Sequence, residues 1–210
     1  MNAVRKKRLL RILFSFFVLL LVIGISALAG VEIRKIFDRK EQLRIMADFE
    51  QRQQEYAEKS GMDHHYSGTA GEVYDSDFAD GDTMAILTLD RLNIKVAISE
   101  GTDKDVLRVS AGHFNETDMP GAGNFAIAGH SSRIYTCLFN DMHNAVVGDV
   151  IHVKTKAGTR HYVVAELMVV EPDDVDVVEH TNESVLTIVT CTNDGAERLI
   201  IRGIETTIDT

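Results

Sequence analysis

Only two cysteines, Cys137 and Cys191, occur in the 210 residues, and neither belongs to a zinc-finger spacing. In an exported domain the bland reading of two cysteines is a disulfide; a domain of this size does not need such a staple. A glycine-rich phosphate loop and a helical HExxH motif are both missing. Basic residues are outnumbered, 22 Lys and Arg against 32 Asp and Glu, for a net charge of -10 and a pI near 5.2. Five of those bases, Arg5, Lys6, Lys7, Arg8 and Arg11, precede the first acid, Glu32. Setting them aside leaves 17 against 32, a balance of -15, which excludes the Lys and Arg clusters that phosphate contact requires. No nucleic-acid partner is expected. The densest histidine pair, His64-His65, lies in a polar stretch and reads as solvated, so no metal or cofactor is assigned.

Charge is also missing from Ile12 to Val31, a 20-residue apolar run. As a helix rising about 1.5 Å per residue it would span roughly 30 Å, a bilayer core. The basic cluster before it predicts a cytoplasmic amino terminus and an extracytoplasmic remainder. A cleaved signal peptide is the rival reading, since Ala27-Leu28-Ala29 resembles a cleavage site, but the run is longer than the usual apolar core of such peptides. Residues 1–11 are thus expected to be a cytoplasmic basic segment and 12–31 a membrane anchor.

Residues 32–60 lack Pro and internal Gly and predict one polar helix, with a thin apolar stripe of Ile33, Ile36, Phe37, Met46 and Phe49. It reads as a stalk, free or lightly docked; a coiled coil would need sustained heptads that are missing. Residues 61–82 are polar, contain four glycines and read as a linker. From 83 to 210 the pattern changes to short runs rich in Val, Ile, Thr and Tyr at 84–89, 94–98, 124–129, 149–155, 161–170, 185–191 and 198–204. Seven or eight strands predict an all-β closed or nearly closed barrel, with a two-sheet sandwich as the alternative pairing. Helix is expected only near Asp103–Leu107 and Leu138–Ala145.

Cys191 ends the apolar run Val185–Thr190 just before a polar loop, which places its sulfur at the rim of the sheet. If the flanking runs form a hairpin, Arg198 starts beside the point where Cys191 ends. A guanidinium stays charged and offers several N–H donors, suited to a developing oxyanion. His130 also ends a strand, and with Cys191 and Arg198 it acquires a task, as acid for a departing amine and base for an incoming one.

The stretches AIAGHSS around His130 and VLTIVTC followed by TNDGAERLIIRG around Cys191 and Arg198 resemble the sortase family of cell-wall transpeptidases. The similarity runs over about residues 84–206, through MPGAGNF and LFNDMHNAVVGDVI. It implies an eight-stranded β-barrel and a Cys-His-Arg site that cleaves an LPXTG-type sorting signal between Thr and Gly. The Thr acyl group then passes to a cell-envelope amine such as a wall precursor. On this resemblance Cys191 is the nucleophile, His130 the acid/base and Arg198 the anion-stabilising residue. Thr190 matches a position that helps hold substrate, and Cys137 matches no role.

An amino-terminal anchor with no second apolar 20-mer after the barrel resembles the housekeeping type more than pilin-polymerising members. The nearest candidate for an aromatic lid is Asp77-Phe78, which lacks the intervening proline. A hydrolase that passes the acyl group to water would use the same three residues, and a catalytically idle adhesion or sensor domain would need none of them. The motif specifies no oligomeric state.

Overall fold

The computed structural model describes residues 3–60, 78–131, 138–192 and 195–207. Cys137, His64-His65, Asp77 and most of the 61–82 segment lie outside the described residues.

Helix α1 (Ala3–Ser60) is continuous, with no break where the apolar run gives way to the polar one. Its most apolar 18-residue window has a mean hydropathy of 2.8, and none of that window is buried against protein. One long apolar helix near the amino terminus is consistent with single-pass membrane attachment. The chain divides into two compact units, 1–37 and 38–210, so the carboxyl half of α1 belongs with the barrel. Phe49, the one fully buried member of the apolar stripe, is wholly excluded from solvent, which contributes about 1.5–3 kcal/mol. Asp38 accepts from Arg108, Glu50 pairs with Lys95 at 2.9 Å, and Gln53 Nε2 donates to Thr155 O at 2.8 Å. Of the two stalk readings, the docked one describes residues 38–60.

Eight strands close into a barrel: β1 (Thr83–Leu89), β2 (Ile94–Glu100), β3 (Ala111–His113), β4 (Asn124–Gly129), β5 (Val150–Thr155), β6 (Gly158–Val170), β7 (Val185–Cys191) and β8 (Arg198–Thr206). Their order around the barrel is β1-β2-β3-β4-β7-β8-β6-β5. Two pairings, β2 with β3 and β4 with β7, are parallel; the other six are antiparallel. Parallel neighbours need a crossover. Helix α2 (Lys104–Val109) supplies the first, opened by Asp103, whose Oδ1 accepts from the amides of Asp105 and Val106 at 2.7 and 3.0 Å.

Side chains alternate along each strand. Phe125 and Ile127 of β4, Leu186 and Ile188 of β7 and Ile201 of β8 fill the interior with Phe139, Met142 and Tyr162. The Tyr162 hydroxyl accepts from the Gly121 amide at 3.0 Å, and burial pushes its pKa up to about 12, so it stays neutral. Ala126, Ala128, Thr187, Val189, Ile200 and Arg202 have the opposite parity and turn outward.

Candidate active site

The three-residue row that carries the site follows from two registers. Antiparallel β7 and β8 pair Cys191 with Arg198 directly, which puts both side chains on one face. Parallel β4 and β7 pair Ala128 with Val189 and Gly129 with Thr190. Continued by one residue, that register sets His130 abreast of Cys191. Neighbouring strands lie about 4.8 Å apart, so His130, Cys191 and Arg198 form one row across three strands. All three, with Thr190, line a single groove of about 360 Å³ on the outer face.

Local contacts hold this row in place. A Cβ at Gly129 would lie 2.2 Å from the Phe139 ring, so only glycine lets the end of β4 pass over that buried aromatic. Phe139 N donates to His130 O at 3.2 Å, and Thr190 Oγ1 donates to Gly129 O at 2.7 Å. Ser131 Oγ donates to Cys191 O at 2.7 Å, tying the end of β4 to the end of β7. Beyond the row, Thr192 N bonds Glu197 O at 3.0 Å and keeps the hairpin narrow. Arg198 Nη1 donates to Glu197 O at 3.2 Å, which turns part of its fork toward the hairpin loop. A guanidinium carries five N–H donors. Cys191 is half-buried and free of any disulfide.

The groove floor is apolar, with Ala128, Val189 and Ile200 behind the row, and one wall is the segment between β6 and β7. That wall contributes Pro172, Asp174, Val175, Val177 and Val178. Neither this wall nor Ser131 is singled out by sequence patterning. The signal that could have found the wall is length, since 171–184 exceeds most strand connections. Phe78 is not at this site. It packs against the core with Lys156 Nζ 5.6 Å from its ring centroid, at the turn between β5 and β6. Arg198 pairs with Val170 at the far end of β6, roughly 40 Å along that strand, so Phe78 does not cover the groove.

A thiol abreast of an imidazole and a guanidinium, above an apolar groove open to solvent, has the parts for acyl transfer from a peptide. The class that this architecture defines is a thiol-centred β-barrel. The family model of the sortase domain matches residues 87–206, and the chain belongs to the sortase family. Sortase A of Bacillus anthracis is 24% identical over 158 residues, which cover 74% of this chain and 74% of that protein. A solved Clostridium perfringens Sortase D5 transpeptidase superposes with a TM-score of 0.62 at 30% identity, covering 81% of this chain and 98% of that one. A lid mutant of Sortase A from Corynebacterium diphtheriae gives 0.57 at 25%, covering 60% and 72%. Family membership supports an enzyme of transpeptidase type in general terms.

Proposed function

We propose that the protein is a membrane-anchored transpeptidase that joins exported proteins to an amine of the cell envelope. The observation that carries this reading is the row formed by His130, Cys191 and Arg198 over one groove. The Cys191 sulfur attacks the carbonyl carbon of Thr in an LPXTG-like signal. Arg198 donates to the oxyanion that develops. His130 gives its proton to the departing Gly amine as the C–N bond breaks, which leaves a thioester on Cys191. An envelope amine then attacks the thioester, His130 takes its proton, and the thiolate departs. Thr190 contributes to holding the donor. The basic segment before the apolar helix supports a cytoplasmic amino terminus with the barrel outside, so the groove faces substrates as they emerge.

The full chain in detergent, incubated with LPXTG-like peptides and candidate wall amines, is expected to give Thr–amine products by mass spectrometry. Those products should be lost in Cys191→Ala. Thr-carboxylate products with every amine, the native wall precursor included, would replace this reading with a hydrolase. Protease digestion of the barrel in intact cells tests the orientation.

A further inference from the structure

Behind the row of His130, Cys191 and Arg198, the outer face of β4, β7 and β8 continues with Ala128, Val189 and Ile200, then with Ala126, Thr187 and Arg202. Asn124 follows at the start of β4 and is wholly buried. Both donors of its amide are used. Nδ2 donates to Val177 O at 3.1 Å and to Glu179 O at 2.9 Å, while Oδ1 accepts from Thr187 Oγ1 at 2.7 Å. Arg202 Nη2 also donates to Val177 O, at 3.2 Å. One amide therefore ties two strands of the groove floor to the 177–179 end of the groove wall. The other end of that wall, 171–176, is exposed.

We infer that Asn124 is a positioning residue for the peptide donor, setting how far the 177–178 end of the wall stands from Cys191. This rests on reading the groove as the donor site. Cys191 lies four residues beyond Thr187 along β7, roughly 13 Å at strand rise, so the pinned wall closes a groove about four extended residues long. Asn124 touches neither the thiol nor the scissile bond. Its contribution is preorganisation: a wall already in place need not be ordered when the donor binds. Losing the pin should raise KM for the donor and leave kcat nearly unchanged, the signature of binding shared by ground and transition states.

Asn124→Ala removes the amide, and Thr187→Val removes only the hydroxyl that orients it while keeping side-chain volume. With an LPXTG-like donor and the full chain in detergent, Asn124→Ala is expected to raise KM about tenfold and Thr187→Val about threefold. In both, kcat should stay within about twofold, and the rate of Cys191 alkylation by iodoacetamide should not change. An unchanged KM in folded Thr187→Val, or a fall in kcat without a rise in KM, would overturn the inference. If Asn124→Ala does not fold, Thr187→Val decides alone. Wild-type protein that cleaves no motif peptide would overturn the functional reading instead. The pin then stands or falls on hydrogen exchange of amides 177–180, which should accelerate in Thr187→Val and would refute it if unchanged.

Discussion

The tripeptide Ala-Gly-His occurs twice, at 111–113 and at 128–130, and both copies sit at the carboxyl end of a strand. Because β3 and β4 run antiparallel, pairing Gly112 with Ala128 and His113 with Ile127, the two copies lie side by side, with His113 level with inward-facing Ile127 and His130 three residues further on with the outward parity of Ala128. His113 has a side chain only 2% exposed. Its Nδ1 lies 2.9 Å from Glu100 Oε2, its Nε2 lies 3.1 Å from Thr117 Oγ1, and its ring packs 5.1 Å from that of Phe125. His130 is half-buried and lines the groove beside Cys191. The same three residues thus make a sealed packing element inside the barrel and a reachable imidazole on its outer face. What separates them is the face each presents and what meets it there: inward-facing His113 meets Glu100 of β2, whereas outward-facing His130 meets the Cys191 end of β7.

Substitutions should pull this pair apart. Cys191→Ala is expected to abolish acyl transfer, and His130→Ala to lower kcat by about 10²–10⁴-fold. Both should melt like wild type by circular dichroism. Loss of folding in His130→Ala would erase the contrast with His113. Conversely, His113→Ala leaves the buried Glu100 carboxyl without its hydrogen-bond partner, at a cost of about 1–3 kcal/mol, in addition to the lost packing against Phe125. A fall in Tm on the order of 10 °C is expected, with turnover retained by the fraction that stays folded.

A finer test lies at Ser131, whose hydroxyl bridges from the residue after His130 to the Cys191 carbonyl. Ser131→Ala should cost about 1 kcal/mol of stability, a fall in Tm of about 2–4 °C, and should lower kcat by up to roughly fivefold as the row loosens; Ser131→Thr should restore both. An equal effect of Ser131→Ala and Ser131→Thr would assign the loss to packing rather than to the hydroxyl.

The smallest effect concerns a third histidine environment, the cross-strand pair His152 and His161, whose Nδ1 atoms are 2.7 Å apart. Burial, then the neighbouring His152, lowers the His161 pKa below 6.5. The unfolded chain therefore binds more protons near that pH, so stability is full above about 6.5 and declines as pH falls through the lowered folded value. A shallow drop in Tm over that acid range is expected in wild type and should be flattened in His161→Phe. An identical slope in the variant would remove His161 from the pH response.

Sequence patterning alone carried the strands with β-branched runs, the apolar helix, and the adjacency of Cys191 to Arg198. A short hairpin leaves few registers open, and a slip of one residue would turn an apolar face outward, so local pattern suffices there. Strand β3 was not legible, because Ala111-Gly112-His113 is too short to show a period. The docking of residues 38–60 was legible only as alternatives, since the one wholly buried side chain of the stripe, Phe49, cannot announce its partner. The resemblance picked out His130 as the acid/base, but its place abreast of Cys191 depends on a parallel pairing between strands that start at 124 and 185. Such a pairing has no turn to encode its register. Only closure of the barrel, with Phe125, Ile127, Leu186 and Ile188 packed inside it, decides which residues of β4 and β7 meet, and therefore which histidine stands beside the thiol.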